Sequence, residues 1–120
     1  MITKIPGLPD NVIGFSASGT VTSKDYESIL IPAVEEKLAE RAKIRLLYHL
    51  GADFSGYELA AMWDDAKFGL RRLTAWERIA VVTDIDWIRM SVKVFGFAMP
   101  GHVRVFENDG LSGAIAWLSE

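Results

Sequence analysis

The run Ile79-Ala80-Val81-Val82-Thr83 decides the fold. It is short, rich in β-branched side chains and apolar without alternation. A strand with one wet face alternates apolar and polar residues. A strand that is apolar on both faces is covered on both, as in a parallel sheet with helices on each side. Working outward, Ile44 to Leu50 reads as a second strand rich in large apolar residues, ended by Gly51. Val12 to Ser18 alternates, with Ile13, Phe15 and Ala17 against Gly14, Ser16 and Ser18, and Gly19 closes it. Ile2 to Ile5 reads as a short first strand before the turn signal Pro6-Gly7-Leu8-Pro9, and Val103 to Phe106 as the last.

Helical patterns fill the intervals. Thr22 and Asp25 have capping-box spacing, followed by the stripe Tyr26, Ile29, Leu30, Ala33, Val34 and Leu38. Pro32 inside that stripe removes a backbone bond to Ser28 and predicts a kink. Ser55 and Glu58 form a second capping-box pair, opening a helix to about Leu73. Asp84 or Asp86 is expected to cap a third helix ending near Gly96 to Pro100. Asn108 or Asp109 is expected to cap a last one through Leu111, Ile115 and Leu118. The order β-β-α-β-α-β-α-β-α predicts an α/β fold: a mixed four- to five-stranded sheet, mostly parallel, with about four helices. At 120 residues, positions 1–120 are expected to form one domain.

Composition narrows the function classes. Half the residues are apolar and 24% are charged, which argues against disorder. There is no cysteine, so disulfide scaffolds, thiolate zinc sites and cysteine catalysis are out. A formal charge of −3 supplies no field for nucleic acid. The start, Met1 to Pro6, holds one basic residue and no apolar core of a signal peptide. The most hydrophobic stretch, Ile85 to Gly101, is interrupted by Asp86, Arg89 and Lys93, so it is not expected to span a bilayer. The expectation is a cytoplasmic protein that meets the inner membrane, if at all, at its periphery.

The sequence contains no metalloprotease, nucleophile-elbow, phosphate-loop or dinucleotide motif. His49 and His102 fall in or beside strands and read as structural, and Asp53 reads as a turn former at a strand end. Asp64 and Asp65 are neighbours on a helix, about 100° apart, and do not converge as an acid–base pair. No catalytic residue, metal ligand or cofactor is therefore expected, and the protein is read as no enzyme. Ser55 carries one further option. As an N-cap after a strand, its hydroxyl would meet free N–H groups, a place where a phosphate is tolerated and a partner could read it.

The strongest functional signal is apolar residues off the core stripes. On the second helix Leu59, Met62, Trp63, Ala66, Leu70 and Leu73 cover one side, while Tyr57 and Phe68 project among Asp64, Lys67, Arg71 and Arg72. On the third, Ile88, Val92, Phe95 and Met99 form one stripe and Met90, Val94 and Phe97 a second, roughly opposite. A helix apolar nearly all round is buried on several sides or meets something apolar. Three accounts compete: packing between the sheet and another helix, a partner or homodimer interface, and an apolar pocket or membrane contact. In the last, Tyr57, Trp63, Phe68, Met90, Val94 and Phe97 face the ligand or bilayer, and Lys67, Arg71, Arg89 and Lys93 hold anionic headgroups.

Several stretches resemble one bacterial family. They are Gly19-Thr20-Val21-Thr22-Ser23-Lys24-Asp25-Tyr26, Ile31-Pro32-Ala33 and Ile44-Arg45-Leu46-Leu47, then Trp63-Asp64-Asp65-Ala66-Lys67-Phe68-Gly69-Leu70 and Glu77-Arg78-Ile79-Ala80-Val81-Val82-Thr83-Asp84. In this order they resemble the SpoIIAA-like proteins over nearly the whole chain. The resemblance implies a STAS-like domain, a fold shared by anti-sigma-factor antagonists, by cytoplasmic domains of sulphate transporters and, in outline, by CRAL-TRIO lipid carriers. Antagonists carry a phosphorylatable Ser or Thr after an Asp at a helix start, and Asp53-Phe54-Ser55-Gly56 matches that pattern loosely through Ser55. Two expectations follow. The first is a non-enzymatic module that takes an apolar small molecule or lipid, or touches membrane, through helices two and three. The alternative is a protein-interaction regulator with Ser55 as phospho-switch.

Overall fold

A computed structural model describes residues 1–58 and 73–120. Five strands run in spatial order β1-β2-β3-β4-β5: Ile2–Lys4, Val12–Val21, Ile44–Tyr57, Trp76–Thr83 and His102–Phe106. The β1–β2 pair is antiparallel and the other three are parallel, which gives the mixed, mostly parallel sheet expected from the sequence. The described residues hold three helices: a continuous helical segment at 23–40 (α1), Asp86–Ala98 (α2) and Leu111–Ser119 (α3).

The sheet is apolar on both faces, and each face has its own helices. Phe15, Tyr48, Leu50, Ile79 and Val81 point to the side where α1 contributes Tyr26, Leu30 and Val34 and α2 contributes Ile88. Val12, Leu47, Ala80 and Val82 point to the other side, against Ala114 and Leu118 of α3. Residues 79–83 are buried without a break, as a strand covered on both faces must be.

Local chemistry explains the helix ends. The Thr22 hydroxyl accepts the Asp25 N–H at 3.2 Å and the Asp25 carboxylate accepts the Thr22 N–H at 2.9 Å, so the capping box forms. Just before Pro32, α1 contains one wider π turn, Tyr26–Leu30, where the Ile31 N–H bonds the Tyr26 carbonyl. Pro32 has no N–H to offer Ser28, and the widened turn just before it absorbs the mismatch.

Three expectations need correction. Neither Asp84 nor Asp86 caps α2: its N-cap is Ile85, without a side-chain bond, and Asp84 instead accepts the Asn108 N–H at 2.9 Å. Neither Asn108 nor Asp109 caps α3, because Asn108–Gly110 forms a single 3-10 turn and Gly110 stands at the N-cap. Most importantly, β3 does not end at Gly51 but runs to Tyr57. Its second half pairs with an equally prolonged β2, through Gly19↔Phe54, Thr20↔Gly56 and Val21↔Tyr57, across register shifts on either side of Gly19. Gly19 lies at φ 58, the left-handed conformation of a bulge glycine, which lets the ladder continue after the irregularity.

Candidate functional site

Helix α2 is laid against the sheet edge by a few specific contacts. Thr83, fully buried at the end of β4, accepts the Ile85 N–H on its hydroxyl at 3.2 Å. The Thr83 carbonyl accepts from the Arg89 guanidinium at 2.8 Å. Farther along, Gly96 comes so close to β5 that a Cβ there would lie 3.3 Å from that of Val103. Ile88 and Met99 are buried beneath the helix, and Val92 packs against the same core.

The opposite side of α2 is uncovered. Trp87 is 52% exposed, Met90 68%, Val94 67% and Phe97 94%. At 100° per residue these four occupy a single arc of roughly 80°, so they form one continuous apolar stripe. Asp86 and Lys93 stand exposed along one flank and Ser91 along the other. Among the described residues, no helix covers this second stripe. Phe95, expected on the inner stripe, is also partly exposed. Trp87 belongs to neither stripe expected from the sequence, yet it lies three residues before Met90 and so on the same face.

The other candidate residues scatter. Arg89 is half-buried and turned back onto the strand end, so its charge serves the fold and not the outer surface. Tyr57 lies at the end of β3 and not on a helix. Its ring meets Phe54 edge-on at 5.1 Å and stacks with Tyr26 at 6.5 Å, and its hydroxyl reaches that of Tyr48 at 3.3 Å. Tyr48 also meets the Tyr26 hydroxyl at 3.2 Å, so Tyr57 belongs to a phenol cluster within the core. Ser55 is exposed within β3 and does not stand at a helix start. The helix expected from Ser55 to Leu73 falls largely on residues 59–72, so Trp63, Lys67, Phe68 and Arg71 lie outside the described residues.

The described residues hold no group of three or more His, Asp or Glu side chains placed to share a metal ion. No helix among them is long and apolar enough to cross a membrane. An open hollow of about 460 Å³ lies far from α2 along the sheet, lined by Ile5, Leu8, Val12, Ile13, Lys4 and Lys37.

Comparison with known proteins agrees with this architecture. The SpoIIAA-like family model matches residues 12–119. A solved structure from Shewanella loihica PV-4, an uncharacterised DUF3478-family protein with a SpoIIAA-like fold, is 28% identical with a TM-score of 0.78. The match covers 98% of this chain and 92% of that one. No functionally curated protein matches.

Proposed function

The chain belongs to the SpoIIAA-like family, and we propose that it is a non-catalytic, STAS-type module that associates peripherally with lipid through the outer face of α2. The observation that carries this reading is the uncovered stripe of Trp87, Met90, Val94 and Phe97. A helix with one apolar side on the protein and a second apolar side in water has the form of an interfacial helix, which lies in the plane of a headgroup layer. Trp is suited to that depth because its indole N–H can stay wet while the ring is apolar, and Phe adds apolar area.

Charge plays a minor part in this reading. Of the four basic residues expected to hold headgroups, Lys93 is described, exposed and placed beside the stripe, whereas Arg89 is engaged by the Thr83 carbonyl. One basic residue near an anionic surface contributes about 1 kcal/mol, and the chain as a whole carries −3. Among the described residues, apolar insertion therefore supplies most of the affinity, and anionic lipid should add little through α2. The regulator reading with Ser55 as switch has less support, since Ser55 lies within a strand and not at the helix start which that reading requires.

Flotation with phosphatidylcholine vesicles tests the proposal. The protein should float with the vesicles nearly as well at high salt as at low, and Phe97→Asp should lose the association while keeping its circular dichroism. A protein that stays at the bottom of the gradient with vesicles of every composition would refute it.

A further inference from the structure

We infer that in water, without lipid, the outer face of α2 is closed by a second copy of the chain, the two α2 helices packing antiparallel about a two-fold axis beside Val92. The spacing of the stripe is the first argument. Trp87 and Phe97 each lie five residues from Val92, and Met90 and Val94 each lie two. The pattern thus reads the same from either end. A two-fold axis at its centre sets Trp87 opposite the partner's Phe97 and Met90 opposite the partner's Val94, which is the self-complementarity an isologous interface requires.

Area is the second argument. With aromatic side chains of roughly 150–250 Å² each, the exposed fractions of these four residues amount to on the order of 500 Å² per copy. Two copies would bury about 1,000 Å², the lower bound for a specific interface, so the dimer should be weak and depend on concentration. Charge chooses the direction. Antiparallel packing opposes the two helix dipoles. It also holds the two Asp86 carboxylates about 18 Å apart along the axis, whereas a parallel pair would bring them level. Asp86 and Lys93 lie on the flank, so the centre of the contact contains no charged side chain.

This inference stands apart from the lipid proposal, since it concerns the protein in buffer alone; the two share a surface and so compete for it. Sedimentation equilibrium from about 1 to about 300 µM should show a reversible monomer–dimer equilibrium in the micromolar range. Phe97→Asp and Met90→Asp should each weaken it by at least about tenfold. Because the chain has no cysteine, Lys93→Cys and Ser91→Cys each supply a single thiol on opposite flanks of the stripe. A short bis-maleimide should join K93C to K93C and S91C to S91C, each pair being offset by about 3 Å along the axis in the antiparallel arrangement. Three results would overturn the inference: a monomer at every concentration, a dimer unaffected by either aspartate, or preferential K93C-to-S91C linkage, the signature of parallel helices.

Discussion

Helices α2 and α3 are both short and apolar, yet the protein treats them in opposite ways. Helix α3 sinks Ala114 and Leu118 fully into the sheet and is fastened at its end by two arginines. Arg45 donates to the Leu118 carbonyl at 2.8 Å and Arg78 to the Trp117 carbonyl at 2.7 Å. Both carbonyls lie in the last turn of the helix, where cations are favoured by the helix dipole; that of Trp117 also accepts the Glu120 N–H at 3.4 Å. Helix α2 has an arginine at its other end, and its outer stripe remains in water. Apolar content alone therefore does not tell a buried helix from one with an exposed apolar face; the position of the second stripe does.

Mutations on the two helices should separate sharply. Leu118→Ala should cost about 2–5 kcal/mol in urea unfolding, as a buried leucine does when a cavity is left behind. Phe97→Ala, by contrast, should change the stability of the monomer, read at a concentration too dilute for the dimer, by no more than about 0.5 kcal/mol, because in the single chain its side chain is in water. A loss of several kcal/mol at Phe97 would place α2 in the core and remove the contrast.

Arg45→Met should fall between these two. It removes the bond to Leu118 and a 2.6 Å charge-assisted pair with Glu77, for about 1.5–3 kcal/mol, read from the same unfolding curves. The pair also has a pH signature. The hydrogen bond from Arg45 holds the Glu77 carboxyl below its ordinary value of 4.5. A depressed carboxyl contributes stability above the unfolded value and loses it as pH falls through the folded one. Acid should therefore erode a small part of wild-type stability below about pH 4.5 that R45M no longer has; because Glu77 is 44% exposed, this is the smallest of the effects. Identical acid limbs for the two proteins would show that the pair is not felt in solution.

What was legible in the sequence follows from period and local chemistry. The unbroken run at 79–83 announced a strand covered on both faces, and Thr22 with Asp25 announced a helix start; both rest on near neighbours. The two stripes of α2 were legible for the same reason. The end of β3 was not. Gly51 reads as a terminator and Ser55 with Glu58 as a cap, but the chain stays extended because β2 continues beside it past the bulge at Gly19. That pairing joins residues more than thirty positions apart, and no local pattern records it. Ser55 was lost as a helix cap for this reason, and Tyr57 moved from a helix face to the core phenol cluster. Arg89 looked like a free cation because its acceptor, the Thr83 carbonyl, is a backbone atom whose position only the fold determines.

Hydrogen exchange read peptide by peptide, with and without phosphatidylcholine vesicles, tests the central claim most directly. The account predicts slower exchange confined to residues 86–98 on adding vesicles, with 111–119 unchanged and the effect absent in Phe97→Asp. Equal exchange in α2 with and without lipid, or protection that appears in α3 instead, would contradict it.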